Sequence, residues 1–392
     1  MVNLDDAVES LRRLLDSGRQ YWLLGAGISF GANIPLMYPL TDRVAAVLKD
    51  SSLEVFREVK AELPADCHVE HILSHIGDLI AVAERVTAKE ASIGKASRSV
   101  ADLTGAYEAI IGHITDTVRY GYRAAGALPE AVGKQGQSIV EVRDHLSFVR
   151  ALFENRANLE SRSEIAFFTT NYDTLLEDAL CLSRRVPIDG FTGSAIGFWN
   201  PEAAERSEAA LQTNASFVYK LHGSVDWILD KEYGLVRCRY DTNYLATTQN
   251  VLIYPQATKY VETQKDPFAY LFAAFRRALA SQASHVLAVC GYSFGDNHIN
   301  NEIAYALQSR SRKTNLLAFV KEIEPPAGTA GPSELPEVLK AWVADDDLNA
   351  RVYVATNKAL YWKGLKLEKP AAAGMSWWTF TGLTDFLRNG SF

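Results

Sequence analysis

Four short stretches carry residues whose types and spacing can do chemistry on a polar ligand, and each follows an apolar run. Gly25-Ala26-Gly27-Ile28-Ser29 comes first. Glycines after a strand let the backbone approach a pyrophosphate, whose charge is stabilised by N–H groups at the start of the next helix. The full G-x-G-x-x-G fingerprint is not met, because Phe30 intervenes and Gly31 is displaced, so a plain tight turn is the alternative reading. Thr169-Thr170-Asn171-Tyr172-Asp173 comes second. Asn171 offers a donor and an acceptor to sugar hydroxyls or a water, and Asp173 can orient a neighbour; equally, Asn and Asp are common helix caps. Lys220-Leu221-His222-Gly223-Ser224 is third: a His at a strand end can act as a general base near neutral pH, and Gly223 behind it gives a ligand room, although a lone His is more often structural. The fourth runs from Gly291 to Asn300, GYSFGDNHIN. Gly291 and Ser293 suit hydrogen bonding to ribose or phosphate, while Asp296, His298 and Asn300 are either ligand contacts or caps.

The elements that must position these groups are legible from periodicity. YWLL runs into the first glycines, and strand patterns return at Ile165–Thr170, Phe217–Leu221, Val251–Tyr254, Val286–Cys290, Leu316–Val320 and Val352–Ala355. Each is short and mostly apolar throughout, the pattern of a parallel sheet covered on both faces. Helical stretches at Asp173–Ser183, Phe268–Ser281 and Asn300–Arg310 supply crossovers, which predicts a Rossmann-type, doubly wound, mostly parallel α/β sheet spanning residues 1–392. Residues 41–160 change to helical periodicity and are expected to form an inserted helical subdomain, with exposed loops at Lys89–Gly105 and Gly126–Gln137. The Pro- and Gly-rich segment Glu324–Pro336 reads as a surface loop. In such a fold the four clusters meet in one crevice at the carboxyl ends of the strands.

Bulk properties narrow the function classes. At 392 residues and 48% hydrophobic, the chain can bury a large core. A formal net charge of -7 argues against general affinity for nucleic-acid backbones. The first twenty residues lack the apolar stretch of a signal peptide, and no span of about 18 apolar residues follows, so a cytoplasmic protein outside the membrane is expected. Cys67, Cys181, Cys238 and Cys290 form no C-x-x-C pair, so no structural zinc or other metal site is expected.

Taken together, GAGIS, TTNYD, KLHGS and GYSFGDNHIN resemble the sirtuin-like domains of bacterial antiphage NAD hydrolases, over roughly residues 15–40 and 160–360. The resemblance implies NAD as substrate, with Gly25, Ala26, Gly27 and Ser29 lining its phosphate site. It places Asn171 and Asp173 at the nicotinamide ribose, His222 as catalytic base, and Gly291 and Ser293 on the adenosine side, with Thr170 and Gly223 also binding the cofactor. Deacylating sirtuins carry a four-cysteine zinc ribbon, absent here, and a phenylalanine–arginine pair where this chain reads Ile34-Pro35-Leu36-Met37-Tyr38-Pro39. Water then becomes the expected acceptor, and the expected activity is NAD glycohydrolysis to nicotinamide and ADP-ribose, with Asn171 holding the ribose or the attacking water and His222 taking a proton. The alternatives are an NAD-dependent deacylase and a silent NAD or ADP-ribose sensor or scaffold. Too little sequence follows the last predicted strand for a sensor domain of about 100 residues. Control is therefore expected from outside. By resemblance to defence systems this means a homo-oligomer, acting in abortive infection and docking a separately encoded DNA-translocase-like ATPase through the helical insertion.

Overall fold

The computed structural model describes residues 3–16, 19–153, 164–205, 214–239, 251–253, 266–309, 313–325, 331–369, 374–390 and 392. Its centre is a nine-stranded sheet ordered Leu365–Glu368, Ala359–Trp362, Val352–Ala355, Thr314–Phe319, His285–Cys290, Arg19–Leu24, Glu164–Thr169, Ala215–Lys220, Val186–Ile188. Every pairing from Val352–Ala355 to Val186–Ile188 is parallel, and the Ala359–Trp362 and Leu365–Glu368 hairpin joins the far edge antiparallel. The chain starts in the middle of the sheet, builds toward one edge, then returns to Arg19–Leu24 and builds toward the other. The sheet therefore has its topological switch beside the first strand, where open α/β folds collect their ligand groups.

Side-chain alternation explains why these strands are mostly apolar throughout. Tyr21 and Leu23 face a layer holding Phe168, Phe217, Tyr219 and Leu287, covered by helices Phe268–Leu279, Asn297–Gln308 and Glu337–Ala344. Trp22 and Leu24 face the opposite layer with Phe167, Val218 and Phe319, under helices Leu4–Leu15, Arg143–Phe153, Leu175–Leu182 and Phe380–Asn389. With both faces dry, both parities are mostly apolar, and the buried polar exceptions, among them Gln20, Ser216, His285 and Lys220, sit near the strand ends.

The helical segment falls into two parts. Helices Met37–Val47, Asp50–Glu62, Val69–Arg85 and Val100–Tyr120 enclose a core around Val55, Phe56, Ile72 and Ile110 that also takes in Tyr172, Leu175 and Val225 from outside the helical segment. Helix Arg143–Phe153 instead packs Phe148, Val149 and Leu152 into the sheet's core, so it is a layer of the main domain. The end of the segment at residues 154–160 lies outside the described residues, as do Tyr254, Arg310 and residues 326–330 of the Glu324–Pro336 loop.

Two sequence expectations change, and a third, the exposed loop at Gly126–Gln137, holds. Lys89–Gly105 is a hairpin, Glu90–Ile93 against Ala96–Ser99, followed by a helix from Val100. Buried Ala91 and Ile93 alternate under a polar composition, Gly94 turns at φ +57°, and Ser99 and Asp102 form a capping box, signals that a reading by polarity overlooks. The Gly126–Gln137 stretch is exposed apart from its partly buried members, with a short strand at Ala131–Val132. Val251–Ile253 leaves the central sheet altogether. It pairs antiparallel with Gly223–Asp230 in a second, five-stranded sheet that continues through Gly234–Cys238, Ile196–Trp199 and Phe191–Gly193. Three apolar residues fit the edge of either sheet, so pattern alone cannot place them. No helix among the described residues is long and apolar enough to cross a membrane.

Candidate active site

The four clusters leave four neighbouring strands, in the order His285–Cys290, Arg19–Leu24, Glu164–Thr169, Ala215–Lys220. The strands end flush: Leu24 pairs with Cys290 and Thr169, and Thr169 with Lys220. Asn171 and His222 each lie two residues beyond the registered Thr169–Lys220 pair. The turn after Thr169 is fixed by its own hydroxyl, which donates to the Leu24 carbonyl at 3.0 Å and accepts from the Asn171 N–H at 3.0 Å.

Gly25, Gly27 and Gly291 interlock. A Cβ on Gly25 would stand 2.5 Å from the Gly291 carbonyl oxygen, one on Gly27 2.8 Å from the Gly291 Cα, and one on Gly291 2.6 Å from the Ile28 nitrogen. The N–H groups of Gly25, Gly27 and Ile28 donate to the carbonyls of Cys290, Gly291 and Gly25. Those three donors are thus committed inside the protein. The element that follows is a short 3-10 helix, Ala26–Ala32. What makes glycine necessary here is the contact between two strand-end loops. Gly291 also has φ +68°, so Gly291→Ala is expected to lower folding stability by about 3 kcal/mol. Chemical denaturation measures this, and an unchanged midpoint would show that the loops are not in tight contact.

Ser29 does not face outward from that turn. It is buried and joins the second cluster: its hydroxyl donates to Asp173 Oδ2 at 2.8 Å, accepts from Asn171 Nδ2 at 3.0 Å and lies 3.3 Å from His145 Nε2. Ser29 thereby ties the first glycine turn to the Asn171 group. The Asn171 Oδ1 is buried and has no hydrogen-bond partner, an acceptor that fits a sugar hydroxyl or a water. Of the other expected residues, Gly223 is buried, Gly27 and Thr170 are half-buried, and Ala26 and Ser293 are exposed.

Capping and site roles coincide in two carboxylates. Asp173 Oδ1 accepts the Leu175 N–H at 3.0 Å, fixing the start of helix Leu175–Leu182, and its other oxygen holds Ser29. Asp296 Oδ1 accepts the His298 N–H at 2.9 Å, capping helix Asn297–Gln308, and its other oxygen lies 3.1 Å from His222 Nε2. A carboxylate clamped by a cap is a fixed anchor for the group it orients. His222 sits where the chain leaves the central sheet for the second one, a junction that Gly223 makes with φ +83°. Asn300 braces its own loop, accepting from the Tyr292 hydroxyl and donating to the Phe294 carbonyl.

Beneath Asp173, Lys220 and Glu177 form an ion pair at 3.3 Å, 1% and 2% exposed, and the Lys220 ammonium also donates to the Asp173 carbonyl. Burial raises the Glu177 carboxyl, opposed by Lys220 and Arg239. On the same side a cavity of about 760 Å³ reaches Asp173 and Thr174 from between the helical insertion and the second sheet.

His145 belongs to no motif and was missed. Its signal is a His on a helical stripe with Phe148, Val149 and Leu152, all buried. Burial lowers its pKa from the ordinary 6.5, while Asp173 and Asp144 act in the opposite direction. The folded protein therefore holds it neutral at a pH where the unfolded chain takes up a proton, and stability falls as pH drops below about 6.5 toward the lower folded value. His145→Gln should flatten the stability loss between pH 6.5 and 5; equal slopes for variant and wild type would contradict it.

Residues 165–344 match the family model described as SIR2-like domain. The matched segment holds Asn171, Asp173, His222, Gly291 and Asp296, but neither the Gly25–Ser29 turn nor His145. No curated protein gives a significant match to the chain. The match supports a sirtuin-like assignment for the greater part of the sheet and, with it, NAD-dependent chemistry.

Proposed function

We propose that this chain is an NAD glycohydrolase that releases nicotinamide and ADP-ribose. The observation that carries the reading is the buried, unpartnered Asn171 Oδ1, set among Ser29, Asp173 and His145 two residues from a strand end. Asn171 Oδ1 accepts from a ribose hydroxyl or from the attacking water. Cleavage of the bond between the sugar's C1′ and nicotinamide leaves the electron pair on the nicotinamide nitrogen and positive charge on the sugar, which held oxygen dipoles stabilise. Water oxygen bonds to C1′, and its proton passes to His222, held by Asp296, and then to solvent. Thr170, Gly223, Gly291 and Ser293 are proposed to bind the remainder of the dinucleotide with Gly25, Ala26 and Gly27.

Water, and not an acyl-lysine, is the acceptor in this reading, because the sequence carries no zinc-ribbon cysteines. Product analysis separates the two. With NAD and an acetylated peptide present, the protein is expected to yield ADP-ribose and leave the peptide intact; accumulation of O-acetyl-ADP-ribose would establish the deacylase instead.

The resemblance to defence proteins supports the physiological part: an abortive-infection effector, held in a homo-oligomer and controlled by a DNA-translocating ATPase that docks on the helical insertion. Light scattering on the chain, alone and with its neighbouring gene product, should give an oligomer and then a larger complex. A monomer in both would overturn that arrangement.

A further inference from the structure

The Ser29 hydroxyl has one proton and two lone pairs. Its proton goes to Asp173 Oδ2 at 2.8 Å, so the Asn171 atom at 3.0 Å and the His145 ring nitrogen at 3.3 Å both have to be donors. This fixes two orientations that distance alone leaves open. Asn171 presents its nitrogen to Ser29 and turns its carboxamide oxygen elsewhere. His145 carries its proton on Nε2, and its Nδ1, buried without a hydrogen-bond partner, is the bare nitrogen. A second proton there would be a buried charge with no acceptor.

The geometry points to His145 as a positioning residue for NAD cleavage: its Nε2–H saturates the Ser29 hydroxyl and so keeps the Asn171 carboxamide oxygen turned toward the reacting sugar. The role rests on the reading of Asn171 given above. Without the His145 donor, the Ser29 proton can swing from Asp173 to Asn171 Oδ1. The carboxamide then loses its single orientation. His145 is rigidly held for this task. Its ring packs 5.0 Å from the Phe380 ring, Phe380 also contacts Phe148, and Arg388 donates to the Ser147 carbonyl, so the C-terminal helix clamps the helix that carries it. The charged groups facing the imidazole are the Asp173 and Asp144 carboxylates.

Two measurements test this. Nitrogen NMR of histidine-labelled protein, with the His145 signal identified by its loss in His145→Gln, should show a neutral ring protonated on Nε2 at pH 7. A ring protonated on Nδ1, or on both nitrogens, overturns the role whatever the turnover. In steady-state kinetics, His145→Leu should lower kcat for nicotinamide release about tenfold with KM for NAD nearly unchanged. His145→Gln, whose amide supplies an N–H, should recover to within about threefold, and His145→Leu should cost nothing further in a Ser29→Ala background. Full kcat in His145→Leu, or an equal loss with Ser29 removed, overturns the role. No nicotinamide release by wild type would overturn the NAD reading, and this role with it, whatever the NMR result; release by wild type with the wrong tautomer overturns the role alone.

Discussion

Asn171→Ala protein should release nicotinamide from NAD about 100- to 1,000-fold more slowly than wild type, with folding stability nearly intact. The expected size follows from the role. Asn171 Oδ1 has no other employment in the protein, being buried without a partner, so its removal deletes an interaction reserved for the ligand. The nitrogen of the same side chain donates to Ser29, which keeps its bond to Asp173 in the variant. If the oxygen stabilises charge developing on the ribose, the loss falls on kcat and kcat/KM alike and leaves KM nearly unchanged. A variant that keeps wild-type kcat would remove Asn171 from the chemistry. A large loss of stability would assign it to the fold.

The second large effect is on stability. Lys220→Met should destabilise the protein by about 3–5 kcal/mol, because it leaves the Glu177 carboxylate buried with its nearest cation removed and the Asp173 carbonyl without its donor. The pH dependence identifies the cause. Glu177 already has its pKa raised from 4.5 by burial, and Lys220 is the first of the groups that lower it. Removing Lys220 raises it further. A carboxyl whose folded pKa lies above its unfolded value stabilises fully below the unfolded value and loses that contribution as pH rises through the folded one. The cost of Lys220→Met should therefore grow from pH 5 to pH 8, and Lys220→Met with Glu177→Gln should recover much of it. A cost that is flat with pH would point to lost packing. Because Lys220 supports Asp173 directly, weaker NAD cleavage is expected even where the variant stays folded.

Much of this site was legible before any coordinates, for a physical reason. Strands buried on both faces are mostly apolar, so a cluster of polar residues and glycines after such a run marks the strand's end, which places Asn171 and His222. The choice between cap and ligand group for Asp173 and Asp296 could not be made from sequence, because each carboxylate does one job with each oxygen. Sequence alone explains Gly25, Gly27 and Gly291 by the ligand they would admit. Their immediate cause is the loop across from them, a contact spanning more than 260 residues that no local pattern encodes. His145 was invisible for a similar reason: a His amid buried Phe and Val resembles a core residue until its distance to Ser29 is known. The second sheet was missed because its strands are short and half exposed, as at Phe191–Gly193, Ile196–Trp199 and Gly234–Cys238.

In the proposed reaction a water molecule replaces nicotinamide on NAD at the Asn171 and His222 strand ends. The most direct measurement is quantitation of nicotinamide and ADP-ribose when the purified chain, alone and together with the proposed ATPase, is incubated with NAD. Equal amounts of the two products are expected from wild type, and strongly reduced amounts from Asn171→Ala and His222→Ala. Intact NAD bound without turnover by the assembled wild-type protein, or equal release by wild type and both variants, would contradict it.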